Sequence, residues 1–162
     1  PESIPLSDIF NPKFVALLQK IAKEKTAAKV TIGSVPNDLY INGLKPVLQS
    51  FIILLLKNAN SHADSKQVNI LFTDEYFEIK NDINKSRKEM EENKKKFDSK
   101  YNEESMDLFI KQPKQIREYG FTLLTLHYYI DSLGMQCKME YNIEDPKPYF
   151  SIKIYYKKNK NK

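Results

Sequence analysis

Stretches of this chain in which apolar residues recur at helical spacing take turns with stretches in which apolar and polar residues alternate. Residues 4–10 read as a short strand or extended lead-in, closed by Asn11 and Pro12. Asn is a good N-cap and Pro a good first helical residue. Phe14, Leu17, Leu18, Ile21 and Ala28 then predict an amphipathic helix over 12–28. Residues 30–35 alternate as a strand, and 39–41 add a short second one before the Asn42-Gly43 turn. Pro46 opens a long helix that is apolar all round over 51–56, as expected where a helix is pressed between a sheet and its neighbours. Residues 67–72 and 76–80 form a hairpin across Thr73-Asp74-Glu75. Helical spacing resumes through Leu123, Leu124, Leu126, Ile130 and Leu133, with Gly134 as the C-cap. Two further alternating strands, 135–142 and 149–156, close the pattern.

Segregated helices beside a mixed sheet make an α+β fold, a two-layer α/β sandwich with helices on one face. The whole chain, 1–162, reads as one domain with one substantial core. Residues 84–117 break the pattern. Charges of both signs crowd 84–104, and Met90, Phe97, Tyr101 and Leu108 leave only a thin apolar stripe. Pairs such as Glu91/Lys95 and Glu92/Lys96 suit a helix surface. This segment is expected to be a mobile, lid-like insert, any helix in it docking loosely.

Composition refines this picture at few points. The net charge of +5 sits largely in a Lys-rich tail, Lys157, Lys158, Lys160 and Lys162. Such a tail reads as a solvated end, and no specific nucleic-acid partner is expected, since basic and aromatic residues do not interleave beyond Tyr155-Tyr156. Cys137 is the only cysteine, so an internal disulfide is excluded and a reducing, cytoplasmic setting is expected. The apolar run over 51–56 is far too short to span a bilayer, so no membrane contact by this domain is expected. A chain that starts on Pro1 suggests a piece excised from something longer, such as the cytoplasmic part of a membrane-anchored sensor.

Candidate chemistry concentrates at the end of the long helix, where Asn58 and His62 lie four apart among apolar residues. A buried helix normally excludes an amide and an imidazole, so their shared face should meet polar groups or a ligand. The run Leu54-Leu-Leu-Lys57-Asn58-Ala-Asn-Ser-His62 resembles the N-box of histidine-kinase/gyrase/Hsp90-type ATPases. Lys29-Val-Thr-Ile resembles that family's first long strand, and residues 67–83 the strand leading into its Asp-x-Gly-x-Gly adenine box. Tyr119-Gly120-Phe-Thr-Leu-Leu resembles its lid-to-helix segment. As an ordered set these resemble the catalytic, ATP-binding domain of sensor histidine kinases, over essentially the whole chain. The resemblance implies a Bergerat-type ATPase fold and ATP or ADP with Mg²⁺ as cofactor. It implies nucleotide contacts from Asn58, His62, Asn81, Gly120, Lys57 and Arg117, with Asn58 on the metal. It further implies a helical dimerisation and phosphoacceptor domain outside this sequence, and a response regulator, as partners.

Several positions depart from the family pattern. Leu54 stands where the family has Asn or Glu, and a leucine neither orients water nor binds metal, which argues against gyrase-like hydrolysis. Asn81 replaces the adenine-binding Asp, keeping one acceptor oxygen and adding a donor. Ile83 and Lys85 replace two glycines, and a β-branched Ile would crowd a nucleotide there. At the lid, Glu118-Tyr-Gly120-Phe-Thr122 keeps one glycine of the family's Gly-x-Gly-x-Gly. Glu118 at about 5 Å from a triphosphate, at an effective dielectric of about 20, would repel it by on the order of 3 kcal/mol. Lys111, Lys114 and Arg117 offset that charge or belong to ordinary surface. Two readings therefore stand: an ATP-binding kinase domain with weakened binding, or a pseudo-kinase scaffold acting through protein contacts.

Overall fold

The computed structural model describes residues 2–26, 28–100, 122–144 and 146–157, with the side chains at 25–26, 58–63, 100 and 122 left aside. In chain order the elements are β1 (Glu2–Pro5), α1 (Leu6–Ile9), α2 (Pro12–Thr26), β2 (Lys29–Ile32), β3 (Tyr40–Gly43), α3 (Lys45–Ala63), β4 (Gln67–Phe72), β5 (Tyr76–Asp82), α4 (Arg87–Lys100), α5 (Thr122–Ser132), β6 (Gln136–Asn142) and β7 (Tyr149–Tyr155). The five-stranded sheet has the order β2-β4-β5-β7-β6. Only β2 and β4 run parallel, and the other pairs are antiparallel. β1 pairs with β3 in a separate two-stranded sheet.

Several local signals act as expected, but Leu6–Ile9 coils into α1 where a strand or extended lead-in was expected, and Asn42-Gly43 continue β3 against β1 instead of turning. The Asn11 side chain accepts the Phe14 N–H at 2.9 Å, capping α2 ahead of Pro12. Gly134, at φ 76°, turns the chain out of α5, and the Met135 N–H donates back to the Ile130 carbonyl. Gly43 has a harder requirement: φ is 143°, and a Cβ would lie 3.0 Å from Leu48 Cδ1 and 3.1 Å from the Tyr129 hydroxyl.

Strand register decides which residues meet the helices. Ile70, Ile79, Ile152 and Met139 line up across β4, β5, β7 and β6, and Phe72, Phe77, Ile154 and Cys137 do the same one pleat away. These rows pack under Leu18 and Ala22 of α2, Leu48, Ile52, Leu55 and Leu56 of α3, and Leu126 and Ile130 of α5. The helices thus cover one face of a mixed sheet, the two-layer sandwich expected from the pattern. On the open face, lysines lie over tyrosine rings: Lys80 over Tyr149 at 4.1 Å, Lys153 over Tyr76 at 5.0 Å and Lys138 over Tyr155 at 5.2 Å. This pairing shields aromatic surface while leaving the face solvated.

The charged segment differs from expectation over its first part. α4 is docked: Met90 is buried and Phe97 half-buried against Ile83, Tyr141, Ile143 and Phe150, a small core that meets the main one at Phe150. Arg87 donates to the Ile143 carbonyl at 2.8 Å and Lys94 to the Tyr141 carbonyl at 3.2 Å, pinning the helix along the end of β6. The thin stripe suffices because the sheet supplies four large apolar partners at one place. Residues 101–117 lie outside the described residues.

Candidate functional site

One inward row of the sheet contains a polar residue. Across β2, β4, β5, β7 and β6 it reads Val30, Val68, Asn81, Phe150, Tyr141. Asn81 follows Phe77 and Ile79 by strand alternation and is only 3% exposed, so its amide must find partners inside. It finds them at the α3–β4 junction. Nδ2 donates to Ser65 Oγ at 2.9 Å and to the Asp82 carbonyl at 3.2 Å. Ser65, 1% exposed, donates its own proton to that carbonyl at 2.7 Å.

The junction is stitched to β5 by further bonds. α3 ends at Ala63, and Asp64 turns the chain at φ 52°, an unusual backbone for a residue with a Cβ. The Asp82 carboxylate accepts the Lys66 and Gln67 N–H groups, both at 3.0 Å. Asn84 Nδ2 bridges the Asp64 carbonyl at 3.0 Å and the other Asp82 oxygen at 2.8 Å. The end of α3 is therefore held fast beside Asn81.

α5 packs along α3 from the other end of that helix. The Tyr129 hydroxyl accepts the Leu44 N–H at the start of α3, Asn42 donates to the Leu133 carbonyl, and the Phe51 and Tyr129 rings lie 5.7 Å apart. These contacts run α5 back along α3, which carries its N-terminus towards the Asn58–His62 end. Helix N-termini point unpaired N–H groups outward and favour anions.

The predicted site residues fall into three groups. Asn58 and His62 lie one turn apart in the last two turns of α3, the end that leads through Asp64 and Ser65 to Asn81. Lys57 beside them is exposed. Gly120 and Arg117, together with Glu118, lie outside the described residues. Two sequence readings change. Asn81 adds no donor for a ligand, because both of its N–H groups are already used. Ile83 directs its side chain into the α4 core, where it is 5% exposed, so it is a packing residue. Ser65, Asp82 and Asn84 were not singled out in the sequence. The polar run Asn81-Asp82-Ile83-Asn84 at a strand end was the available signal, whereas nothing local marks Ser65.

Burial pushes the Tyr141 phenol above its ordinary value, with Asn93 pulling the other way. Farther along β6, burial pushes the Cys137 thiol up to about 12.

No family model and no curated protein matches the chain. Solved structures do. The cytoplasmic segment of histidine kinase QseC shares 14% identity at a TM-score of 0.56, over 98% of this chain and 78% of that one. The ATP-binding domain of PrrB from Mycobacterium tuberculosis shares 14% identity at 0.55, over 98% and 97%. The catalytic domain of histidine kinase ThkA shares 14% identity at 0.53, over 96% and 95%. The chain has the fold of histidine-kinase catalytic, ATP-binding domains, across nearly its whole length. Among the described residues no helix is long and apolar enough to cross a membrane.

Proposed function

We propose that this chain is the ATP-binding, catalytic domain of a two-component sensor histidine kinase, with weakened nucleotide affinity. The observation that carries this reading is the convergence at one end of the sandwich. Buried Asn81 and the α3 end bearing Asn58 and His62 are tied together there by the Ser65–Asp82 network, and α5 runs back along α3 towards that end. In this reading Asn81 meets the adenine edge, the start of α5 with Gly120 and Arg117 faces the phosphates, and Asn58 offers its amide oxygen to Mg²⁺, with His62 and Lys57 close by. Bound Mg·ATP supplies the phosphoryl group and the charge neutralisation. The chain's own residues bind and orient it. The acceptor histidine belongs to a helical dimerisation domain outside this sequence, a response regulator receives the phosphoryl group, and the setting is cytoplasmic.

A second reading is a pseudo-kinase scaffold, favoured by two features. Leu54, 42% exposed one turn before Asn58, leaves no polar group there. Ile83, in place of a glycine, is committed to the α4 core. Calorimetry with Mg·ADP and Mg·ATP separates the readings. The kinase-domain reading expects measurable heat that loses its magnesium-dependent part in Asn58→Ala. No binding up to millimolar nucleotide leaves the scaffold reading, and micromolar binding by the natural chain removes it.

A further inference from the structure

An asparagine at a base-reading position is ambiguous, since its amide offers a donor on one side and an acceptor on the other. Here the ambiguity is removed. Both protons on Asn81 Nδ2 are taken, by Ser65 Oγ at 2.9 Å and by the Asp82 carbonyl at 3.2 Å. The carbonyl has no proton to give, and the single Ser65 proton already points at it from 2.7 Å. Turning the amide over would set Oδ1 against a carbonyl oxygen and a hydroxyl lone pair. With Asn81 3% and Ser65 1% exposed, water is poorly placed to relieve that clash. Asn81 therefore has one capacity left, the acceptor Oδ1.

We infer that Ser65 is a positioning residue that locks Asn81 as an obligate acceptor, so that the site selects a purine bearing a 6-amino donor and rejects a 6-oxo purine. The inference rests on the nucleotide-binding reading above. It assigns base discrimination to a residue outside the strand, sixteen positions from Asn81 in sequence. A 6-oxo group would present an acceptor to an acceptor, and the locked amide has no low-energy way to answer.

The test compares Mg·ADP with Mg·IDP, which exchange the 6-amino for a 6-oxo group, by calorimetry on the whole chain. The natural chain is expected to favour ADP by roughly tenfold or more. Ser65→Ala should lower that ratio severalfold, chiefly by admitting IDP, in protein whose melting curve shows it folded. Equal binding of ADP and IDP by the natural chain overturns the inference while leaving nucleotide binding intact, and this comparison needs no variant. An unchanged ratio in Ser65→Ala overturns it too. Binding of neither nucleotide removes the functional reading and the inference together.

Discussion

Replacing Met90 with alanine tests whether α4 is a docked but separable part of the fold. Met90 is 7% exposed and belongs to a small core with Ile83, Tyr141 and Ile143, rimmed by Phe97 and Phe150. Truncating a buried Met to Ala costs about 2–5 kcal/mol, and a small core open at its rim belongs at the low end, about 2 kcal/mol. The bonds from Arg87 and Lys94 to the Ile143 and Tyr141 carbonyls remain in the variant but come from partly exposed side chains and offset little of this loss. Because the buried residues of the two cores form distinct clusters, with half-buried Phe150 packed against both, the loss should fall mainly on α4. Native-state hydrogen exchange is the assay. Amides of residues 91–99 should exchange roughly 30-fold faster in Met90→Ala, while those of α3 and α5 keep their protection. Ile130→Ala, in the main core at 0% exposure, should instead lower protection everywhere by about 3 kcal/mol. If Met90→Ala lowers protection equally in α3, the two cores are one cooperative unit. If α4 of the natural chain already exchanges like an isolated peptide, it is not docked and the reasoning fails.

Three other outcomes are expected. Gly43→Ala should destabilise the chain by at least about 1 kcal/mol in urea titration, since φ is 143° and the new Cβ meets Leu48 and Tyr129; an unchanged midpoint would contradict the crowding described. Ile83→Gly, which restores a glycine of the family pattern, should cost roughly 2–4 kcal/mol by emptying the α4 core, so any gain in nucleotide affinity must be read against a stability measurement. The Cys137 thiol, pushed up to about 12 from its ordinary 9.0 by burial, keeps its proton in the folded chain when the unfolded chain has lost it. Stability from this group is thus fully present below pH 9 and falls by about 1.4 kcal/mol per pH unit from there towards pH 12. Urea midpoints across that range should fall less steeply in Cys137→Val, and identical slopes would refute the assignment.

Much of the fold was legible from residue order because its signals are local. The Asn11-Pro12 cap, the apolar run over 51–56, the alternation over 67–72 and 76–80, and Gly134 each fix backbone geometry within a few residues. Such preferences need no distant partner, so they can be read without one. The positions of Asn58 and His62 on one face of a helix, and of Asn81 on the inward side of a strand, follow from the same periodicities.

What the tertiary structure alone decided is how polar and sparse apolar residues are used. Met90 and Phe97 lie on a mostly charged helix, and their spacing cannot reveal that β6 and β7 bring Tyr141, Ile143 and Phe150 beneath them. Ile83 reads as an obstruction in sequence and becomes a core residue once α4 is in place. The pairing of β1 with β3 depends on a return of the chain from beyond α2. Asn81 carries a donor and an acceptor in any sequence. Only the turn at Asp64, which delivers Ser65 to its amide, determines which of the two remains. The physical reason is common to these cases. A side chain's hydrogen-bonding capacity and its hydrophobic surface belong to the residue, but what is left over for a ligand depends on partners that only the folded chain brings within reach.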